Sequence, residues 1–375
     1  MIKVLSIAPY RYLPVKTGGQ KNIALFYKYF SAHVELTCVT VNNNSKEEEE
    51  RYTIMPLLST SAFRYINIFY FFSLKRIISQ QAITHVMLEH PYYGWLGYVL
   101  KRFLKVKLII RSHNIEGLRF KSLGKWWWKI LWWYEKKIHA TADFSFFITE
   151  EDKEYAITRF NLALKKCALL TYGTEKHSAY TREEKEKAKQ AICKSYKIAD
   201  TKPLLLYSAA LDYGPNRKGL DCILTEISPL LQQQNISYNI IICGGGLPPE
   251  YDNLSAYKEK HIIYAGFVED ISVYYKAADI FLNPISEGGG IKTKLVEALA
   301  ANDTAISFAT GAIGVPTSVT GNKLLIVADK DPLAFAKKMQ ESLPFIRESV
   351  PQSFFDHFYW GKIAANASET IQILG

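Results

Sequence analysis

The sequence has 375 residues, more than a single hydrophobic core usually serves, so we expect two domains. Hydrophobic residues make up 48% and charged residues 22% of the chain, a balance that excludes a disordered protein. The net charge of +10 favours anionic partners, such as nucleotides, nucleic acid or a membrane surface, without choosing among them.

Strands and helices are predicted to alternate through the first half of the chain. Asn22–Phe30 and the region near Gly94–Phe103 have helical patterns, and the polar stretch Asn42–Arg51 predicts a surface loop or the start of a helix. β-Branched and apolar runs predict the strands, which are Ile2–Ala8, Val34–Val41, Thr84–Glu89, Val106–Arg111 and Phe144–Thr149. This alternation predicts an α/β fold with a parallel, doubly wound sheet.

A second alternating series begins after a predicted domain boundary near Tyr172 and Gly173. The charged stretch Thr181–Lys197 predicts an exposed helix, and helices are also expected at Ser272–Ala277 and Lys294–Ala301. The predicted strands are Leu204–Ala209, Tyr238–Cys243, His261–Tyr264, Ile280–Asn283, Thr304–Phe308 and Leu324–Val327. Two such halves predict a ligand cleft, with ligands at the carboxyl ends of the strands, where helix N-termini point.

Cysteine usage and hydropathy predict a cytoplasmic protein. The five cysteines form no Cys-x-x-Cys pair, so reduced thiols are the simplest interpretation. The start, MIKVLSIAPY, predicts a buried strand rather than a signal peptide. The apolar stretch Tyr65–Ser73 is far shorter than the ~18 residues that a membrane span needs.

The segment Glu287–Ala300, EGGGIKTKLVEALA, combines glycines, lysines and a helix start directly after a predicted strand. Glycines let backbone N–H groups approach a ligand, and a helix start supplies unpaired donors and a positive dipole end. Lys292 and Lys294 add charge where a diphosphate would lie, and Glu297 is placed to accept hydrogen bonds from ribose hydroxyls. The alternative is a glycine-rich surface turn with solvated lysines, but the coincidence of these features favours nucleotide binding.

Glycine and histidine follow other predicted strands. His113 comes after Val106–Arg111, where a histidine is either structural or, at the carboxyl end of a strand, catalytic. Gly18 and Gly19 open the first helix, either as a tight turn or to admit a ligand close to the backbone. Gly244–Gly246 either turn the chain or shape a nucleotide pocket, and the sequence leaves both open.

Lys121–Lys137, KSLGKWWWKILWWYEKK, has five tryptophans in eight residues, flanked by lysines. At helical spacing Trp126, Ile130 and Trp133 share one face, and Trp127, Leu131 and Tyr134 share a neighbouring face. These aromatic residues either pack on the core or contact a membrane or a lipid. Contact is favoured because five tryptophans are hard to bury together. The predicted contact residues are Trp126, Trp127, Trp128, Trp132 and Trp133.

Asp329-Lys330-Asp331 has the spacing of a metal-binding Asp-x-Asp motif. It precedes the helical pattern Pro332–Gln340 and is therefore predicted to cap that helix instead. We expect neither a catalytic metal nor another cofactor.

Several segments together resemble glycosyltransferase family 4, also called group 1, a retaining family with the GT-B fold of two Rossmann-like domains facing a central cleft. The matching segments are Thr17–Gly19, Ser112–Glu116, Leu211–Gly219, Cys243–Gly246, Ala265–Asp270, Tyr274–Pro284 and Gly290–Ala300. The resemblance implies an acceptor domain at 1–172 and a nucleotide-sugar domain at 173–350. It also implies a C-terminal helix at 351–375 that crosses back onto the first domain.

The resemblance also implies roles for matching residues. Glu297 matches the second of two paired glutamates and would bind ribose, whereas Gly289 stands where the first is expected and Glu287 is the nearest substitute. Lys218 matches a diphosphate-binding lysine, and Lys292 is a candidate for its missing arginine partner. His113 matches a histidine near the transferred sugar, and Phe267 and Val268 match the segment that recognises the base. The other donor-binding candidates are Gly18, Gly19, Gly244, Gly245, Gly289, Gly290, Ile291 and Thr293.

The resemblance implies an enzyme that moves a sugar, with retention, from a nucleotide-diphosphate sugar to a glycan or lipid-linked acceptor. Cell-surface polysaccharide or lipopolysaccharide assembly is the usual context of such enzymes. The helix start at Gly290–Lys294, with Lys218 and Lys292, would stabilise the leaving diphosphate. The location implied is the cytoplasm, with peripheral contact at the inner face of the cytoplasmic membrane.

Three alternatives remain open. A nucleotide-sugar epimerase of the same fold would work without an acceptor. A catalytically inactive sugar-nucleotide sensor would bind a donor without turnover. A nucleic-acid-binding protein would fit the +10 charge, but the lysines are dispersed and no nucleic-acid motif is visible, so we expect no nucleic-acid partner.

Overall fold

The computed structural model describes residues 2–45 and 51–374. Residues 46–50 of the predicted loop Asn42–Arg51 therefore lie outside the described residues. Two compact units are present. Unit 1 comprises Met1–Glu175 together with Phe358–Gly375, and unit 2 comprises Lys176–His357. These boundaries fall later in the chain than those drawn from the sequence. Within 2–45 and 51–374, no helix combines the length and hydropathy that crossing a bilayer requires.

Unit 1 contains a seven-stranded sheet in which every neighbouring pair is parallel. The spatial order of its strands is β3-β2-β1-β4-β5-β6-β7. The strands are β1 (Lys3–Ile7), β2 (Glu35–Val41), β3 (Thr53–Leu58), β4 (His85–Glu89), β5 (Lys107–Ser112), β6 (Phe144–Phe147) and β7 (Cys167–Leu169). The central strands are buried on both faces, which explains why they form continuous apolar runs.

Helices connect these strands: α1 (Gly18–Phe30), α2 (Tyr70–Gln81), α3 (Gly94–Leu104), α4 (Glu116–Ser122), α5 (Trp128–Thr141) and α6 (Glu150–Arg159). Thr17 caps α1 in a reciprocal capping box with Gln20. Because parallel crossovers are right-handed, α1 lies on one face of the sheet, and α2, α3, α5 and α6 lie on the other.

Unit 2 contains a six-stranded parallel sheet in the order β10-β9-β8-β11-β12-β13. Its strands are β8 (Leu204–Ser208), β9 (Asn239–Cys243), β10 (Ile262–Gly266), β11 (Ile280–Asn283), β12 (Thr304–Phe308) and β13 (Leu324–Val327). Its helices are α7 (Arg182–Tyr196), α8 (Gly214–Cys222), α9 (Ser228–Gln233), α10 (Ile271–Ala277), α11 (Thr293–Ala300), α12 (Ala309–Ala312), α13 (Thr317–Thr320), α14 (Pro332–Ser342) and α15 (Gln352–Phe358). One core of aliphatic and aromatic side chains fills the space between sheet and helices.

The last helix, α16 (Trp360–Ile373), packs against α1 in unit 1. Trp360 is fully buried and lies against Tyr172, with ring centroids 5.7 Å apart. Gly173 leaves the space for this indole, since a Cβ at that position would come 2.7 Å from it.

The α/β fold predicted from the sequence is confirmed, and all eleven predicted strands are present. Two edge strands were missed. β3 contains Pro56, a residue confined to edges and bulges, and β7 has only three residues. The charged helix α7 is also present, but Lys185 is buried within it and pairs with Asp303 at 2.7 Å.

Candidate active site

Each sheet has a point where the strand order reverses. In unit 2 the reversal falls between β8 and β11, and in unit 1 it falls between β1 and β4. Open α/β sheets bind ligands in the crevice outside the carboxyl ends of the strands at such a point. Most of the residues singled out in the sequence lie near these two positions.

The glycine turn Gly288–Gly290 follows β11 and leads into α11. Gly288 and Gly290 have φ angles of +88° and +68°, which favour glycine over any residue with a Cβ. The ammonium of Lys292 donates to the carbonyl oxygens of all three glycines, at 3.1, 3.2 and 2.9 Å. Lys292 therefore holds the shape of the turn, a role that its sequence position did not predict.

Lys218 of α8 and Glu287 of the same turn form an ion pair, with Nζ and Oε1 2.6 Å apart. Both side chains are largely accessible to solvent. The structure thus brings together, across the β8–β11 reversal, two residues that the sequence nominated separately. Tyr213 immediately precedes α8, and its hydroxyl is 3.7 Å from a Cβ built on Gly288.

The start of α11 carries the remaining donor-binding candidates of this segment. Ile291 is half-buried, Lys292 occupies the N-cap position without a side-chain capping bond, and Thr293 is the first helical residue. Glu297 lies one turn further on and is half-buried. Burial lowers the pKa of Lys294 to about 8, and nearby Glu297 opposes that shift.

The loops after β9 and β10 pack beside this site. Gly244 has a φ of +146°, and a Cβ there would collide with the carbonyl oxygen of Ala209, so glycine is required. A Cβ on Gly245 would contact Phe267, which is 80% exposed after β10. Val268 follows it and is half-buried. An exposed phenylalanine at a strand end is available to stack on a flat ring.

In unit 1, His113 lies at the end of β5 in a buried polar network. Its Nε2 lies 2.5 Å from Glu89, and its Nδ1 lies 3.5 Å from the amide nitrogen of Asn22. Arg111 donates to Glu89 at 3.0 Å and to Asn22 at 2.6 Å. Burial lowers the pKa of His113 to about 3, so the imidazole is neutral, with its proton on Nε2 facing the carboxylate.

Glu89 is ionised despite its burial. Burial alone would raise its pKa, but Arg111 and the hydrogen bond from His113 outweigh burial and lower the pKa to about 2. The two nitrogens of His113 both contact protein groups, Nε2 the carboxylate of Glu89 and Nδ1 the amide of Asn22. The arrangement orients His113 rather than leaving it free to transfer protons.

His90 was missed in the sequence, although it follows β4 as His113 follows β5. Its ring stacks on His113 with centroids 4.1 Å apart. Its Nδ1 lies 3.0 Å from Glu116, and its Nε2 lies 3.0 Å from the hydroxyl of Tyr10. His90 has a φ of +66°, a strained conformation that is concentrated at functional sites.

Tyr10 links this pair to the predicted glycine turn. Its hydroxyl lies 3.7 Å from a Cβ built on Gly19, and Gly18 is the first residue of α1. Gly19, Tyr10, His90 and His113 therefore line the β1–β4 reversal of unit 1. Position after a strand's carboxyl end, which selected His113, would also have selected His90.

The tryptophan segment divides between core and solvent. Trp126, Ile130 and Trp133 are 85%, 66% and 59% exposed. Trp126 precedes α5, which begins at Trp128, so only Ile130 and Trp133 share an exposed face of the helix. Trp127 and Trp128 are half-buried. Trp132 packs inward against Phe160 at 5.4 Å.

Both carboxylates of the Asp-x-Asp motif bind backbone N–H groups. Asp331 accepts from Ala334 and caps α14, as predicted, and Asp329 accepts from Thr310. Among the residues that the structure describes, no group of three or more His, Cys, Asp or Glu side chains has the placement of a metal site.

Comparison with known proteins agrees with this architecture. A family model described as "Glycosyl transferases group 1" matches residues 202–343, and one described as "Glycosyltransferase Family 4" matches residues 17–174. Chitobiosyldiphosphodolichol beta-mannosyltransferase of Debaryomyces hansenii is 24% identical over 286 residues, which are 70% of this chain and 60% of that protein. The match thus spans less than two thirds of that relative's length.

Two solved structures are similar over nearly their whole length. Sucrose-phosphate synthase from Thermosynechococcus elongatus has a TM-score of 0.74 at 15% identity, and the match covers 100% of this chain and 99% of that protein's chain. Anabaena HepE in complex with UDP also has a TM-score of 0.74, at 11% identity, and the match covers 99% of this chain and 100% of that protein's chain.

Two parallel, doubly wound units, each with candidate site residues at its strand-order reversal, define a GT-B protein. The chain belongs to the glycosyltransferases of family 4, or group 1.

Proposed function

We propose that this protein is a retaining, metal-independent glycosyltransferase that moves a sugar from a nucleotide-diphosphate sugar to a glycan or lipid-linked acceptor. The observation that carries the proposal is the convergence of the Gly288–Gly290 turn, the start of α11 and Lys218 at the β8–β11 reversal. Anabaena HepE, which shares the fold, is known in complex with UDP and with UDP-glucose. That similarity supports a nucleotide-sugar donor here.

Unit 2 would hold the donor. The base stacks on Phe267, Glu297 accepts from the ribose, and backbone N–H groups at the start of α11 face the diphosphate. Lys218 exchanges its partner from Glu287 to a phosphate oxygen and stabilises the charge that develops as the diphosphate leaves. Lys218 and the backbone N–H groups would stabilise the negative charge that a metal ion stabilises in other phosphoryl sites. The capping roles of Asp329 and Asp331 are consistent with metal independence.

Unit 1 would position the acceptor and the transferred sugar near Gly19, His90 and His113. Transfer with inversion needs a base that accepts the acceptor's proton. The carboxylates nearest to His113 and His90 are Glu89 and Glu116, and both are buried, ion-paired and of low pKa, about 2 each. They are poor bases, which supports attack from the departing face of the donor, with retention.

A lipid-linked acceptor in cell-surface glycan assembly is the context that we propose. The name of the Debaryomyces relative specifies a diphosphodolichol-linked glycan, and the similar structure of WaaG (TM-score 0.64) is titled a glycosyltransferase involved in lipopolysaccharide biosynthesis. The exposed side chains of Trp126, Ile130 and Trp133 are suited to peripheral contact with the inner face of the cytoplasmic membrane.

The test is a thermal-shift screen against UDP- and GDP-sugars, followed by a transfer assay with lipid-linked acceptors and product analysis by NMR. A ligand that binds the folded state raises the apparent melting temperature. We expect stabilisation by one donor and an anomeric configuration in the product that matches the donor. Donor turnover without an acceptor would favour an epimerase. Donor binding without turnover would favour a sensor. Oligonucleotide binding without donor binding would favour a nucleic-acid-binding protein.

A further inference from the structure

The charge of unit 1 is distributed unevenly along the chain. Residues 51–142 contain fifteen Lys and Arg residues and only three acidic ones, Glu89, Glu116 and Glu135. All three glutamates are at most 1% exposed, and each lies in the interior of the unit. The described surface contributed by these 92 residues therefore carries lysine and arginine but no exposed carboxylate side chain.

Three helices of this stretch lie side by side on one face of the sheet. Phe71 of α2 contacts Phe103 of α3, with ring centroids 6.0 Å apart. The hydroxyl of Tyr134 in α5 accepts from the backbone N–H of Trp95 in α3 at 3.0 Å. Gly94 lets α3 approach α5 closely, since a Cβ there would come 2.4 Å from Ile138. The outward faces of α2, α3 and α5 thus form one continuous surface.

Large apolar side chains project from this surface well beyond the tryptophan segment. The turn Ala62–Ile66 and the start of α2 expose Phe63, Ile66, Phe69 and Phe72 by 63–76%. Phe103 is 69% exposed at the end of α3. The same helices also carry exposed cations, Lys75 and Arg76 on α2 and Arg102 on α3.

We propose that the outer faces of α2, α3 and α5, with the turn Ala62–Ile66, form a single docking surface for an anionic phospholipid bilayer. This inference rests on the proposed membrane contact of the tryptophan segment and extends it to a second insertion element, Phe63–Phe72. The two elements lie on either side of α3. Two apolar contacts fix the orientation of a protein on a membrane, whereas one leaves it free to tilt.

The composition of the surface favours a bilayer over a protein partner. Protein interfaces are depleted in lysine, whereas interfacial membrane helices combine lysine with Trp and Phe. Lys137 lies over the ring of Trp133 at 5.4 Å, so ammonium and indole would reach the headgroup layer together. The charge changes sign at the next helix, α6, where Glu150, Glu151 and Glu154 are exposed. This change marks an edge of the surface.

The test is co-sedimentation of the full chain with phosphatidylcholine vesicles and with vesicles that also contain phosphatidylglycerol. One double variant removes the second apolar element (Phe69→Ser with Phe72→Ser), and another removes two cations (Arg76→Ser with Arg102→Ser). Leu164→Ser in unit 1 and Leu333→Ser in unit 2 are matched controls, because both leucines are exposed and lie outside the surface. Circular dichroism and thermal melting show that each variant is folded.

The expected result is stronger binding to the anionic vesicles and at least about a fivefold loss of partitioning for each double variant. One cation near an anionic surface contributes roughly that factor, and burial of one phenylalanine side chain contributes more. The controls should bind like the wild type. Wild-type binding by the Phe69/Phe72 variant would overturn the proposal, as would equal binding to both vesicle types. Loss of self-association in the variants, with vesicle binding unchanged, would assign the surface to a second copy of the chain instead. None of these outcomes depends on donor binding, so failure here leaves the proposed transfer activity to its own test.

Discussion

The ammonium of Lys218 and the carboxylate of Glu287, 2.6 Å apart, join α8 to the glycine turn that precedes α11. Exposed ion pairs of this kind stabilise a fold by less than about 1 kcal/mol. The pair therefore matters little for folding and much for the charge that the turn presents. In the free protein Glu287 neutralises Lys218, and a diphosphate would compete with Glu287 for the same ammonium.

Replacing each partner separately should affect binding in opposite ways. Lys218→Ala removes a cation from the diphosphate and should weaken nucleoside-diphosphate binding about tenfold, because a hydrogen bond to a charged group contributes about 1.5–3 kcal/mol. Glu287→Ala frees Lys218 and should leave that affinity unchanged or higher. Calorimetry with UDP and GDP measures both.

Lys338→Ala is the control, because Lys338 also forms a solvent-accessible ion pair, with Glu341 on α14. A Lys218→Ala variant that binds like this control would show that the lysine does not contact the diphosphate.

Substitutions at two neighbouring glycines of the turn should have different effects on donor binding. Gly290→Ala places a Cβ at a φ of +68°, which costs about 1–2 kcal/mol and deforms the backbone that faces the ligand. Gly289→Ala is the control, because Gly289 is exposed and is not among the positive-φ glycines. We expect Gly290→Ala to lose donor binding in a thermal-shift assay and Gly289→Ala to keep it. Equal donor binding by the two variants would contradict the proposed role of the turn.

The sequence predicted the fold and the donor segment because both depend on local patterns. Apolar runs bounded by turns identified eleven strands, and a strand end, glycines and a helix start identified Glu287–Ala300. The partners of long side chains could not be predicted, because they depend on which loops meet in space. Lys292 turns back onto three carbonyl groups, and Lys218 finds Glu287 sixty-nine residues away. His90 was missed because its strain and its stacking on His113 exist only in the folded unit.

Mild acid should destabilise unit 1 through two buried histidines. Burial lowers the pKa values of His113 and His139 to about 3, whereas unfolded histidine titrates near ~6.5. The unfolded chain therefore binds more protons between these values, so stability is full above pH ~6.5 and falls as the pH drops towards ~3. Each histidine should cost about 2 kcal/mol between pH ~7 and pH ~5. Burial raises the pKa values of Glu135 and Asp152 in the same unit to about 8 and about 6, so these two carboxyl groups oppose the loss over the same pH range.

Urea unfolding followed by tryptophan fluorescence measures this effect, since all seven tryptophans lie in unit 1. His139→Gln provides the comparison: between pH ~7 and pH ~5 the wild type should lose about 2 kcal/mol more stability than this variant, because the other titrating groups contribute equally to both proteins. A stability difference between the wild type and His139→Gln that is the same at both pH values would contradict the neutral, buried state of the His139 ring.

The C-terminal helix should be essential to unit 1. Trp360 is fully buried against Tyr172 and Phe26, so Trp360→Ala should destabilise unit 1 by about 3–5 kcal/mol. Ile373→Ala, at the 86%-exposed end of the same helix, should change little. Urea unfolding followed by circular dichroism compares the two. Similar unfolding midpoints would mean that α16 is dispensable.

Calorimetric titration of the wild type and of Glu297→Ala with the nucleotide-diphosphate sugar that the screen selects tests the central claim most directly. If α11 holds the ribose and the glycine turn holds the diphosphate, Glu297→Ala should bind that donor about tenfold or more weakly, with the fold intact. Unchanged donor affinity in Glu297→Ala would contradict the assignment of Glu287–Ala300 as the donor site.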